Sequence, residues 1–191
     1  MALNIPVKAQ GDTFFATEVN EIVAAINALQ LNNFYGGLVD YNDLATQTTP
    51  ITALAGVPTL LTNDGAGPFT NDTYLPDGIT SVYDNVDTFD WTQLKLGDMI
   101  DIRLDIIVTT ASPNTTVEVH LNLGTGAGSY SIPFVTDADF KTAQPHTVNK
   151  FNGIYLGDNN TLDNGGQFIV TCDKTSTVIV NGYYIKIIRR G

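Results

Sequence analysis

Cysteine occurs once in this 191-residue chain, at Cys172, so no internal disulfide and no multi-cysteine metal site can form. Its place in the apolar run 168–172 marks it as a small buried hydrophobe. Glutamate is nearly missing, with 3 residues, and charged side chains make up only 15% of the chain, against roughly 25% in an ordinary soluble domain. Basic residues are scarce as well: 9 against 20 acidic ones leave a formal charge of -11. A phosphate-binding surface would have to be built against that field, which argues against nucleic acid as a partner. No apolar stretch reaches the ~18 residues needed to cross a bilayer. The first residues, MALNIPVKAQGDTFFA, lack a basic region followed by an apolar run, so neither membrane insertion nor a secretion signal is expected.

Thr, Asn and Gly stand where salt-bridged Lys and Glu would otherwise be. The 25 Thr, 17 Asn and 17 Gly favour strands and tight turns. A mainly β protein is expected, with one helix near the start. Residues 1–16 carry Leu3, Ile5, Val7, Phe14 and Phe15 without a period, which describes an extended anchoring segment. Thr17 is a plausible N-cap followed by Glu18 and Glu21, where the helix dipole favours acids. From there Val19 and Ile26 occupy a positions and Ile22 and Leu29 occupy d positions of two heptads. Isoleucine at both a and d tilts such a seam toward three strands. The spacing therefore predicts a trimerisation helix over 17–33, with an amphipathic helix lying on its own domain as the alternative. Gly36 and Gly37 open a Thr-rich stretch read as a linker over 34–50.

Beyond residue 50 the period changes to two. Ile100, Ile102, Leu104, Ile106 and Val108 point one way, and Asp101, Arg103, Asp105, Ile107 and Thr109 the other. Val117, Val119, Leu121 and Leu123 repeat the pattern, and residues 111–114 read as the turn of a hairpin between the two strands. Further strands are expected near 58–61, 79–83, 129–134, 147–156, 167–172 and 177–188, each bounded by turn residues. Together they make a β-sandwich over 51–191. The last strand is apolar on both faces by simple alternation: Val178, Val180, Tyr184 and Ile188 against Ile179, Tyr183, Ile185 and Ile187. The second set is expected to meet another subunit, the alternative being a cover from the chain's own loops.

Few motifs carry chemistry. The stretch 123–128, LGTGAG, precedes a strand and has no nearby Lys, so it reads as a hairpin turn and not as a phosphate loop. Neither His120 nor His146 stands in a context that marks a Ser, Cys or metal partner, and G-x-S-x-G and H-E-x-x-H do not occur. No catalytic site and no cofactor are read from the sequence. Asp84, Asp87 and Asp90 in one loop, and Asp158, Asn160 and Asp163 in another, are weak calcium-ligand candidates, neither set in EF-hand register. Asx turns are their alternative role. Trp91, beside Phe89, reads as a core anchor.

Two parts of the chain resemble virion structural proteins of tailed bacteriophages. The opening ALNIPVKAQGDTFFATEVNEIVAAINAL is similar to the anchor and helix of tail and head appendage proteins. The segments LKLGDMIDIRLDIIVTTASPN, FNGIYLGDN and VNGYYIKIIRRG are similar to phage proteins with a jelly-roll domain of tumour-necrosis-factor-like architecture. The resemblance implies a homotrimeric fibre or spike protein, attached by its N-terminus to other head or tail proteins of the virion. The same resemblance implies assembly in the host cytoplasm and adhesion to a host cell-surface glycan or receptor by multivalency. A capsid or tail decoration protein without receptor binding, and a polysaccharide-degrading enzyme, are the rival expectations.

Overall fold

The computed structural model describes residues 20–25 and 36–190, which fall in two units divided between residues 34 and 35. Residues 20–25 are helical, with Ile22 half-buried. Val19, Ile26 and Leu29 of the expected seam, and Leu3, Ile5, Val7, Phe14 and Phe15 of the expected anchor, lie outside the described residues. No helix among the described residues is long and apolar enough to cross a membrane.

The second unit is built from period-two alternation. In β5 (Met99–Thr110), Ile100, Ile102, Leu104, Ile106 and Val108 are fully buried. In β6 (Thr115–Leu123), Val117, Val119, Leu121 and Leu123 are buried likewise. Each strand thus offers one apolar face, and two such sheets cover each other. The remaining strands are β1 (Gly36–Asn42), β2 (Ile51–Ala53), β3 (Thr59–Leu60), β4 (Thr88–Phe89), β7 (Tyr130–Phe140), β8 (Pro145–Tyr155), β9 (Gly166–Cys172) and β10 (Ser176–Ile188). Two short helices, α1 (Ala45–Thr48) and α2 (Asn159–Asn164), lie between strands.

The first sheet runs β1-β10-β5-β8, with β2 beside β1 on the same edge of β10; the second runs β3-β9-β6-β7, with β4 beside β3 on β9. All pairings between strands are antiparallel. The chain changes sheet between β2 and β3, β4 and β5, β5 and β6, β7 and β8, β8 and β9, and β9 and β10. This strand order is that of a jelly-roll β-sandwich. Between the sheets lies an aromatic cluster: Phe89 stacks on Trp91 at 5.2 Å, meets Phe168 edge-on at 5.5 Å and lies 5.2 Å from Tyr183. Trp91 and Cys172 are both fully buried.

Four expectations need correction. Tyr183, Ile185 and Ile187 do not form an outer row, because β10 carries a β-bulge between Val180 and Gly182. The extra residue, Asn181, shifts the alternation by one. Val178 and Val180 face inward before it and Tyr183, Ile185 and Ile187 after it, all 0–1% exposed in the single chain. Of the expected interface set only Ile179 lies outward, in register with Ile107. Second, β5 and β6 are not a hairpin. β5 pairs with β10 and β8, whereas β6 pairs with β7 and β9, so the turn at 111–114 crosses between sheets. Third, 34–50 is not a linker, since β1 pairs with β10 along its whole length. Its glycines are needed for close approach: a Cβ on Gly36 would come within 2.7 Å of the Ile187 carbonyl oxygen. Fourth, 79–83 forms no strand and makes one bridge, Tyr83 to Phe89.

The bulge yields a test. Ile185→Asp places a carboxylate in the chain's own core and should cost about 3–5 kcal/mol, a large share of a domain's stability. Ile107→Asp, on the outer face, should cost about 1 kcal/mol or less. Urea unfolding of the two variants checks this, and equal midpoints would contradict the inward placement of Ile185.

Candidate binding face on the outer side of the first sheet

The same bulge arranges the outer side of the first sheet. The register aligns Asp40 of β1, Tyr184 of β10, Arg103 of β5 and Phe151 of β8 in one cross-strand row. The next row is Asn42, Gly182, Asp105 and Asn149. Gly182 leaves the middle of that row without a side chain. A Cβ there would lie 2.8 Å from Asn42 Nδ2 and 2.8 Å from the Tyr41 carbonyl oxygen.

The polar groups of the two rows hold one another in place. Arg103 Nε donates to Asp105 Oδ2 at 2.9 Å, and Asn149 Nδ2 donates to Asp105 Oδ1 at 2.6 Å. Asn42 Nδ2 donates to Asp40 Oδ1 at 2.9 Å. The Arg103 guanidinium sits 5.3 Å over the Tyr184 ring, a cation–π contact that fixes its plane. Burial holds the Asp40 carboxyl above its ordinary value of 3.8, against the pull of Arg103 and with a further push from Asp105.

One wall of the groove is the loop 64–72. Gly67 N–H donates to the Asn42 carbonyl at 2.8 Å, and Thr70 Oγ1 accepts from Asn42 N–H at 2.9 Å. Asp40 and Asn71 exchange both backbone hydrogen bonds, at 2.9 and 3.0 Å. Phe69 is therefore carried on backbone pinned to β1 at several points, yet it is 76% exposed. Together with Pro68, Gln47 and Asn181, these residues bound a groove of about 480 Å³. Its chemistry is one guanidinium, two carboxylates, several amides and an aromatic ring.

A second surface is apolar. β7 and β8 each pair on one side only, and Tyr155, Phe151, Met99 and Tyr130 are 65, 60, 46 and 41% exposed. Met99, Tyr130, Ile132 and Tyr155 line a shallow groove beside Gly153 and Ile154.

Among the calcium candidates, Asp84, Asp90 and Asp158 accept from local backbone N–H groups, and Asp87 and Asn160 bond residues distant in the chain. Asp84 Oδ1 accepts from the N–H groups of Val86, Asp87 and Thr88 at 2.8–3.0 Å. Asp87 accepts from Gln167 Nε2 at 2.9 Å, and Asp90 from Thr92 N–H at 2.9 Å. Asp158 caps α2 through Thr161 N–H at 2.8 Å, while Asn160 exchanges hydrogen bonds with the Thr125 backbone. Asp163 is in α2. No group of three or more His, Cys, Asp or Glu residues able to hold a metal ion occurs among the described residues. His146 stacks on Phe140 at 4.2 Å, and His120 lies 3.7 Å from Glu118. The groove is hard to see in the sequence because Asp101, Arg103 and Asp105 look like an ordinary solvated strand face. Opposite charges two residues apart on one face were the available signal.

No protein-family model matches the chain, and no curated protein sequence matches it. Among solved structures it is similar to the T13 viral particle of infectious bursal disease virus, at TM-score 0.46 and 9% identity, covering 81% of this chain and 31% of that one. It is similar to the VP2 subviral particle of the same virus at TM-score 0.44 and 9% identity, covering 81% and 32%. It is also similar to the CBM22-1 xylan-binding domain of Paenibacillus barcinonensis Xyn10C, at TM-score 0.37 and 8% identity, covering 81% and 94%. The chain spans about a third of the length of the viral chains. The jelly-roll assignment rests on the strand order given above.

The raised Asp40 carboxyl has a consequence with a definite sign. Folding disfavours its ionised form, so its contribution to stability falls as pH rises from about 3.8 through the raised folded value. Asn in its place has no such dependence. The melting temperature of Asp40→Asn minus that of the natural chain should therefore be near constant below pH 3.8 and increase as pH rises through the raised folded value. Thermal melts across pH 3–7 measure this, and a flat difference would remove the burial effect.

Proposed function

We propose that the chain is a non-catalytic structural protein of a virus particle, in finer detail a homotrimeric fibre or spike of a tailed-bacteriophage virion. Residues 1–16 attach it to the particle, the helix over 17–33 trimerises it, and the jelly roll faces outward and contributes to adhesion. The observation that carries this reading is the exposed aromatic edge of β7 and β8, in a chain whose sequence over 17–33 carries a heptad pattern. Met99, Tyr130 and Tyr155 in one exposed groove, with Phe151 exposed farther along β8, on a protein of charge -11, call for a partner surface. A second copy fits, because a helix seam that joins three chains also holds their sandwiches at high effective concentration, where a modest apolar contact suffices. The phage-like sequence segments support the virion placement.

Light scattering on the purified chain should give three times the 20.6 kDa of one chain at micromolar concentration; a mass of one chain would overturn the trimer. Phe151→Asp combined with Tyr155→Asp should shift the population toward smaller species by tenfold or more while leaving the near-ultraviolet circular dichroism of the sandwich intact. An unchanged trimer content in that variant would move the interface elsewhere. Incorporation of a chain lacking residues 1–16 into particles would remove the anchoring role. A trimer built into particles that adhere to no host surface would leave the decoration protein as the reading.

A further inference from the structure

We infer that the groove formed by Asp40, Asn42, Arg103, Asp105 and Phe69 on the outer side of the first sheet is a binding site for a neutral saccharide. The inference deepens the adhesion part of the proposed function and rests on it, by naming the site and the ligand class.

A pyranose ring presents two kinds of surface. Its hydroxyls each donate and accept, so they are met by acceptors and donors alike; the axial C–H groups make an apolar face suited to an aromatic ring. The groove supplies both. Asp40 uses only Oδ1 within the protein, for Asn42, and Arg103 uses only Nε, for Asp105, among the described residues. A carboxylate oxygen on β1 and the guanidinium amino groups on β5, with Tyr184 of β10 between them, remain for hydroxyls on two sides of a ligand, and hydrogen bonds to charged partners are the stronger kind. Phe69 supplies the apolar contact, on a loop that its backbone bonds to β1 already hold in place. Little ordering entropy is then lost on binding. The volume of about 480 Å³ lies in the range of small-ligand clefts.

The charge balance selects within the class. Two carboxylates face one guanidinium, in a chain of net charge -11, so a uronate or sialate carboxyl would enter against repulsion. A metal ion would meet Arg103 in its coordination space. A neutral hexose opposes neither. Gly182 matters for access, because a Cβ there would push on Asn42 Nδ2 from 2.8 Å.

The test uses the full-length purified chain in isothermal titration calorimetry against neutral oligosaccharides of glucose, galactose and mannose, with oligogalacturonate as the acidic comparison. Binding of at least one neutral oligosaccharide with a Kd of millimolar or tighter, and at least tenfold weaker binding of the uronate, is expected. Phe69→Ala and Arg103→Ala should each weaken it tenfold or more with the fold retained, since both residues are exposed. Val86→Ala, at an exposed turn away from the groove, should leave it unchanged. Absence of binding to all the neutral sugars, preference for the uronate, or binding that survives both groove substitutions overturns the inference. Particle adhesion that persists in Phe69→Ala would likewise overturn the site while leaving adhesion intact. Saccharide binding without particle adhesion would instead remove the adhesion reading and keep the site.

Discussion

The bulge at Asn181 is the constraint on which the rest of the sandwich depends. β10 is an inner strand of the first sheet and pairs with β5 along almost its whole length, so any irregularity in it is felt on both sheet faces. A bulge in an inner strand leaves backbone groups to be satisfied, and an unpaired buried N–H or C=O costs about 1–3 kcal/mol. Here α1 and the residues before it do the satisfying. Val180 N–H donates to Thr46 Oγ1 at 2.9 Å, and Asp43 N–H donates to the Asn181 carbonyl at 3.2 Å. Asp43 and Thr46 are themselves buried. Asp43 accepts from Thr46 N–H at 2.7 Å and from Asp64 N–H at 2.9 Å, while Asp64 accepts from Leu44 and Ala45 N–H. Burial alone would push the Asp64 carboxyl up, but the N–H groups of Ala66, Leu44 and Ala45 and a contact with Asp43 hold it below its ordinary value.

Two outcomes follow from that one inserted residue. Inward, Tyr183 joins Phe89 and Phe168, so the core gains an aromatic residue that unbroken alternation would have sent to solvent. Outward, Gly182 and Tyr184 take positions between Asp40–Asn42 on one side and Arg103–Asp105 on the other. A groove with a floor of backbone and walls of polar side chains results. The bulge thus links the packing of the core to the shape of the outer face, and α1 links both to the loop that carries Phe69.

This explains how far the sequence could be read. Strand faces were legible wherever alternation is uninterrupted: β5 and β6 present the expected inward sets, and Trp91 and Cys172 lie in the core. The sandwich was legible for the same reason, from strand number and turn residues. What failed was pairing. Alternation states which side of a strand is apolar but not which strand lies beside it, so β5 and β6 read as neighbours although the turn between them changes sheet. Val178 to Ile188 is apolar at both parities, and only the register against β5 reveals that parity changes within the strand. Gly36 and Gly37 signal flexibility in isolation, whereas here crowding by neighbouring backbone and by Pro76 requires them. The groove needs residues from β1, α1, β5, β10 and the loop 64–72 together, a juxtaposition that exists only once the sheet order is known.

The composition itself then acquires a reason. A chain with so much Asp and Asn and so little Lys and Glu is organising backbone more than decorating a surface with ion pairs. Asn63 Oδ1, Asp64 Oδ1, Asn71 Oδ1, Asp84 Oδ1 and Asp90 Oδ1 each accept from a backbone N–H two residues on. These Asx turns replace strand pairing along the irregular stretch between β3 and β5. Buried Asp98 works over a longer range, accepting from Lys95 N–H at 3.0 Å and from Arg190 N–H at 2.7 Å, which ties the end of β10 to the start of β5. Such acceptors need no opposite charge to function. The acidic excess is therefore compatible with a folded sandwich, and its field disfavours anions at the open outer face.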